Sequence, residues 1–240
     1  MQNALPVILL IAVAATAAGL LVYAGWRARE KRREELSALA ARLGLSFDPE
    51  PDASHDDRFG QFACFARGHS RAAYNTMEGT LAVGLDRFPV RMGDYTYKVT
   101  RSNGKSTTTT TYRLSYALIR PSWGTTPDLL IRREGLWDKI AGAMGFDDID
   151  FESEAFSRAF HVKSSNKKFA YDVVHPRMME FLMSGQAPAL ELKGGYVCIA
   201  GNNRCWTAEE FPARLEWVRA FFGLWPEHLT RELAGRAGGR

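Results

Sequence analysis

Tyr95–Leu118 reads YTYKVTRSNGKSTTTTTYRLSYAL. Tyr95, Tyr97 and Val99 alternate along its first half, and Tyr112, Leu114, Tyr116 and Leu118 along its second. A period of two puts each set on one side of a strand. Between the halves, Asn103-Gly104 suits a two-residue type I′ turn, because both residues tolerate a positive φ. The threonines at 107–111 favour extended structure through β-branching and read as an exposed, variable hairpin tip. The segment therefore predicts a hairpin of two long antiparallel strands.

Moving toward the N-terminus, QFACFARG (61–68), RAAYNTMEGTL (71–81) and PVRMGDYTYKVT (89–100) read as further strands bounded by turn residues. Phe47-Asp48-Pro49-Glu50-Pro51-Asp52 reads as a linker, since each proline disfavours helix at the residue before it. Before it, REELSALAARLGL (33–45) spaces Leu36, Leu39, Ala40 and Leu43 at helical intervals, with Gly44 as a C-cap.

Residues 6–26, PVILLIAVAATAAGLLVYAGW, carry no charge. About 21 residues at ~1.5 Å rise span the ~30 Å hydrocarbon core as a helix. The A-x-A-like AVAATAAG is the one feature that favours a cleaved signal. Against it, MQNAL holds no basic residue, the run is long, and the positive charges follow it. The stretch reads as a transmembrane anchor. Tyr23 and Trp26 suit its interface, and Arg27, Arg29, Lys31, Arg32 and Arg33 place the C-terminal side in the cytoplasm. The same cluster suits anionic headgroups.

Toward the C-terminus the rhythm changes. Helices are expected at 135–144 and 166–184, a strand at 156–164, and a hairpin from ALELKGG and YVCIAGN (189–202). A last amphipathic helix at 208–224 carries Phe211, Leu215, Val218 and Phe222. The fold class is α+β: a transmembrane helix, then a largely antiparallel sheet with packed helices. The expected layout is a non-cytoplasmic N-terminus (1–5), the span (6–26), a basic juxtamembrane helix and linker (27–52), and a cytoplasmic domain (53–228). That domain is β-rich over 53–132 and mixed over 133–228, and a flexible tail (229–240) follows.

Of the chain's 240 residues, 46 % are hydrophobic and 24 % charged, which excludes wholesale disorder. Three cysteines cannot build a disulfide scaffold. Net charge is +4, and the basic residues of 27–33 set against Glu30 account for all of it. A near-neutral domain lacks the long-range attraction that nucleic-acid binding needs, so Arg101, Lys105 and Arg113 with Tyr95, Tyr97, Tyr112 and Tyr116 make a poor nucleic-acid surface.

Chemical motifs are scarce. Gly104-Lys105-Ser106 ends like a phosphate-binding loop, but Val99 stands where the first glycine belongs and a strand follows. Asp147, Asp148, Asp150, Glu152 and Glu154 read as a strand with solvent-facing carboxylates, and His55-Asp56-Asp57 as a solvated loop or cap. Cys198 and Cys205 are expected to face each other across a hairpin as plain thiols. His161 is expected to point outward; His69, His175 and His228 have no nameable partner. No catalytic, cofactor-binding or metal-binding residue is nominated.

ALAARLGLSFDPEPD (38–52), FACFARGHSRAAYNTMEGTL (62–81), MGDYTYKVT (92–100), DLLIRREGLWDKI (128–140) and IDFESEAFSRAFHVKSSNKKFAYDVV (149–174) together resemble uncharacterised bacterial proteins with one N-terminal membrane helix and a cytoplasmic domain. The resemblance implies an inner-membrane location and carries over no functional residue. The expectation is a single-pass protein whose partners are the bilayer and a protein or lipid headgroup, without catalysis. The alternative is a tethered metal-dependent hydrolase using the acidic patch or His55-Asp56-Asp57.

Overall fold

The alternation in Tyr95–Leu118 is realised in the computed structural model as β3 (Asp86–Ser102) and β4 (Thr107–Ile119), paired antiparallel with Tyr97 opposite Tyr112. The structure describes residues 4–135, 147–185 and 187–238. The helix expected at 135–144 lies outside the described residues, save Gly135. The turn is not the expected one. Asn103 N–H donates to the Ser106 carbonyl at 3.2 Å, and Gly104 alone takes positive φ, +81°. That shape needs glycine first and places Lys105 second.

Around this pair stand β1 (Ser46–Asp48), β2 (His69–Val83), β5 (Leu129–Arg133), β6 (Phe160–Ser164), β7 (Ala189–Lys193) and β8 (Tyr196–Ala200). They form one eight-stranded sheet in the order β1-β2-β3-β4-β8-β7-β5-β6, with every neighbouring pair antiparallel. The β7–β8 hairpin closes through Gly194 (φ +60°) and Gly195 (φ +79°), two left-handed residues in succession as a type I′ turn demands.

The two faces bury different chemistry. On one, Phe88, Val90, Met92, Ala117, Ile119, Val197 and Ile199 meet Leu36 and Leu39 and the apolar stripe Phe211, Leu215, Val218 and Phe222 of α6 (Glu210–Gly223). On the other, Tyr95, Tyr97, Leu114, Tyr116, Leu118 and Cys198 pack against Phe59, Phe62 and Phe65. The expected strand at 61–68 is thus a buried turn. Its aromatics are too closely spaced to share one face of a strand and instead wrap over the sheet.

In β2 the alternation breaks. The register shifts between Tyr74 and Met77, so Ala73 and Met77 join opposite clusters although two residues separate same-side positions in a strand. Asn75 takes φ +51° in this bulge, and Gly93 lies opposite. A Cβ on Gly93 would lie 2.9 Å from the Asn75 carbonyl oxygen and 3.0 Å from that of Tyr74. Only glycine leaves the bulge room.

Other expectations shift for local reasons. The expected helix 166–184 is two, α4 (Lys167–Val173) and α5 (Pro176–Ser184), because Pro176 starts a new helix and holds His175 extended. The expected strand 156–164 begins as a short helix, α3 (Glu154–Ala159), whose N-cap Ser153 accepts from Phe156 N–H. The expected flexible tail is α7 (Glu227–Gly238), with Leu229 and Leu233 buried one turn apart. Residues 46–48 of the expected linker are the edge strand β1, which continues into a bridge between Asp52 and Ala73. The first helix, α1, runs unbroken over Ala4–Leu43, 40 residues and about 60 Å at ~1.5 Å each. It ends as expected at Gly44, φ +67°.

Candidate functional site

The site begins where α1 meets the sheet. Its N-terminal half is apolar and uncovered: Val7, Leu10, Leu21 and Val22 are all more than half exposed. Among the described residues it is the one helix long and apolar enough to cross a membrane. Its C-terminal half is different, with Leu36, Leu39 and Ala40 completely buried.

Between the halves lies Arg32. Its Nη2 donates to Asp94 Oδ1 at 2.8 Å and its Nε to Oδ2 at 3.1 Å. Asp94 is buried and also receives Ser115 Oγ at 2.6 Å and Asn75 Nδ2 at 3.2 Å. A carboxylate taken out of water needs this many donors, or its desolvation outweighs the ion pair. Asn75 reaches Asp94 because of the bulge.

Arg32 was expected at the membrane surface. It lies four residues before Leu36, on the buried stripe of the helix, and so turns into the domain. Arg33 likewise turns to Glu50, at 2.8 Å. Tyr23, Trp26, Arg27, Arg29 and Lys31 remain exposed. The Tyr23 and Trp26 rings lie 5.9 Å apart.

The Asp94 network continues into a cleft. Ser115 Oγ accepts from Trp206 N–H at 2.9 Å, and the Trp206 ring meets Phe211 edge-on at 5.2 Å. The Arg32 guanidinium sits 5.8 Å from the centre of that Phe211 ring. Trp206 in turn lines a cleft of about 430 Å³, together with Arg133, Glu134, Arg204 and Arg214 and the small residues Ala189, Ala200 and Gly201. Arg204 grips the carboxylate of Glu210 at the start of α6, and this hydrogen bond brings Glu210 down to about 2. Arg133 donates to the Leu182 carbonyl at 3.2 Å, and Arg214 lies over the Trp206 ring at 5.9 Å. Three arginines, two of them fixed by protein acceptors, thus share the lining with one carboxylate and several small side chains. Such a cleft suits a carboxylate or phosphate joined to an apolar group. Arg204 and Trp206 follow β8 in GNNRCW, a stretch with no periodicity or motif to mark them.

The remaining candidates do not converge. His55 was expected in a solvated loop; it opens a five-residue helix, α2 (His55–Phe59), and is fully buried against Phe59, Phe65, Tyr95 and Tyr116. Neither ring nitrogen has a partner among the described residues, and desolvation, with Arg91 nearby, lowers its pKa to about 3. Asp56 pairs with Arg71 at 2.7 Å, and Asp57 faces solvent. His161 is held at both nitrogens, by the Glu134 carboxylate at Nε2 and by Asp148 at 3.2 Å from Nδ1. Among the described residues no group of three His, Cys, Asp or Glu side chains is placed to hold a metal ion. His69 contacts Ser70 and Thr100, His175 the Leu224 carbonyl, and His228 stands 4.0 Å from Asp172.

Cys198 does not face Cys205. Its sulfur lies 3.8 Å from that of Cys64, while Cys205 sits beside Asp94. Successive residues of β8 face opposite ways, and Cys205 lies beyond its end. Next to the thiol pair, burial pushes Glu191 up to about 7 although it accepts Ala63 N–H at 3.3 Å. The tyrosines once considered for a nucleic-acid surface are core: Tyr95, Tyr97 and Tyr116 are buried.

No family model matches the chain, and no curated protein does. Among solved structures it resembles the crystal structure of the mycobacterial trehalose monomycolate transport factor A, TtfA. The identity is 13 %, the TM-score 0.53, and the match covers 83 % of this chain and 97 % of that one. At that identity the likeness is one of fold.

Proposed function

We propose that this is a single-pass inner-membrane protein whose C-terminal domain lies in the cytoplasm and acts as a non-catalytic adaptor, presenting the arginine-lined cleft to a protein partner. The observation that carries this reading is α1. One unbroken helix has an apolar half that nothing covers and a second half buried in the sheet, joined at the Arg32–Asp94 pair. The domain is therefore held at a set height and angle to whatever surrounds residues 7–26, as an adaptor requires and a freely tethered enzyme does not. Arg27, Arg29 and Lys31, exposed just past the apolar run, support the cytoplasmic side for the domain. The fold shared with a transport factor supports a role in moving or assembling something rather than transforming it. Among the described residues, the metal-dependent hydrolase reading finds no convergent ligand set to support it.

Fluorescent-protein and alkaline-phosphatase fusions after Arg240 test the topology: fluorescence with an inactive phosphatase is expected. A mature chain recovered from the periplasm beginning near Gly25 overturns the reading. A photoreactive residue at Asn202 tests the cleft. It is expected to give one discrete adduct in membranes that Arg214→Ala removes; adducts indifferent to that substitution count against the cleft.

A further inference from the structure

We propose that the β3–β4 ribbon is a second membrane contact, in which Lys98, Arg101 and Lys105 meet the anionic phosphate headgroups of the leaflet that α1 enters. This rests on the reading of α1 as a membrane span, and adds the lipid class and the residues that recognise it.

The direction of the ribbon follows from the register. Leu45, just past α1, lies over Gly79 of β2, while Arg32 reaches Asp94, the carboxylate that Asn75 of β2 also holds. Going back along the helix from Leu43 to Arg32 therefore climbs β2 from Gly79 toward Asn75. Further residues climb on toward the apolar half. β3 is antiparallel to β2, so it climbs the same way from Asp94 to Ser102. Trp26 stands six residues above Arg32, about 9 Å of helix. Ser102 stands eight residues above Asp94, about 26 Å of strand. The ribbon is long enough to pass the level of Trp26, so it meets the headgroup plane by leaning away from the helix axis rather than by running beside it.

Nothing else in the sheet accompanies it there. The last β2–β3 pair is His69 with Lys98, and β8 pairs with β4 only from Tyr116 to Ile119. Beyond the contact of His69 with Thr100, the two strands run alone from Arg101 to Thr108, after a cross-strand bond between Thr100 Oγ1 and Thr109 Oγ1 at 2.9 Å. A free two-stranded ribbon is marginal in water, so its length calls for a surface to rest on.

The chemistry selects that surface. No Asp or Glu occurs between Asp94 and Asp128, while Lys98, Arg101, Lys105 and Arg113 are all exposed. The soluble part, near neutral in sum, thus concentrates an acid-free basic arm in this ribbon. The tip, Ser102-Asn103-Gly104-Lys105-Ser106, has no apolar side chain to insert. It rests on phosphates rather than entering acyl chains. The opposite end of the sheet is the β2–β3 turn, whose tip is the fully exposed Leu85.

The test uses the full chain with Cys205→Ser in lipid nanodiscs, carrying a polarity-sensitive dye at Ser106→Cys, Leu85→Cys or Val22→Cys. Discs are of phosphatidylcholine alone, or with about a third phosphatidylglycerol, plus spin-labelled lipid as quencher. Val22 is expected to be quenched in both. Ser106 is expected to be quenched at least about threefold more with phosphatidylglycerol, an excess lost in about 0.5 M salt and in the Lys98→Gln/Arg101→Gln/Lys105→Gln chain. Leu85 stays unquenched. Quenching at Val22 with Ser106 no more quenched than Leu85 overturns the ribbon contact and leaves the anchor standing. Equal quenching of Ser106 in both lipids overturns the anionic class. An unquenched Val22 overturns the anchor, and the ribbon contact with it.

Discussion

The Arg32 guanidinium and the Asp94 carboxylate meet through two parallel bonds, of 3.1 and 2.8 Å, across a separation of 62 residues. They make the apolar helix and the sheet one rigid piece. Removing one partner of a buried pair strands the other charge. Arg32→Met is therefore expected to cost about 3–5 kcal/mol. Arg32→Lys, which keeps the charge but not the two-point geometry, is expected to cost less than half as much. Denaturation of the full chain in detergent measures both. The coupling in a cycle with Asp94→Asn tests the pair itself, and near-additive effects would show that it does not act as one.

Buried His55 makes stability fall in acid. Its folded pKa, lowered to about 3 by desolvation, lies below the unfolded 6.5, so the unfolded chain binds the proton first. Its contribution is complete above about 6.5 and is lost as pH falls from there toward 3. His55→Phe, which leaves no polar atom in the aromatic cage, is expected to match or exceed the parent at pH 7.5. Its advantage is expected to grow by about 2 kcal/mol at pH 5. Urea titrations at the two pH values decide it; an advantage that shrinks on acidification would refute the assignment.

Glu191 acts with the opposite sign. Burial raises its folded pKa to about 7 from 4.5, so the folded chain holds the proton longer. Stability from this group is fully present below about 4.5, declines as pH rises through 7, and is constant above. Glu191→Gln is expected to remove that decline and to gain up to about 3 kcal/mol on the parent between pH 5 and pH 8. A pH-independent difference between the two chains would count against it.

Gly93→Ala is expected to destabilise by about 1–3 kcal/mol, since the added methyl meets backbone atoms of the β2 bulge at 2.9 to 3.1 Å and none can swing away. Because the bulge carries Asn75 to Asp94, the same change is expected to increase tryptic cleavage at Lys31 and Arg33. Unchanged melting would mean that the bulge has room the backbone does not show.

The hairpin over 95–118, the α6 stripe and the glycine that ends α1 were all legible, because each is a repeat or a cap within a few residues. The turn type was not, since the positive φ fell on Gly104 and left Asn103 out. Nor was the reversal of facing between Ala73 and Met77, because one inserted residue changes the parity of all that follows. Arg32 could have been suspected from its place four residues before Leu36. His55 could not. Its burial depends on the turn at Phe62–Phe65 folding a short helix onto tyrosines that lie far along the chain.

What the chain determines by itself is what local repetition encodes: an apolar helix followed by charge, strands of period two, and an α+β alternation. Tertiary structure alone decided which charges leave the surface and which thiols are neighbours. It also decided which way the basic ribbon points relative to the helix. Arg32 finds Asp94 across 62 residues and Cys64 finds Cys198 across 134. Such pairs depend on how every intervening turn and strand register adds up, and no short stretch of sequence holds that sum.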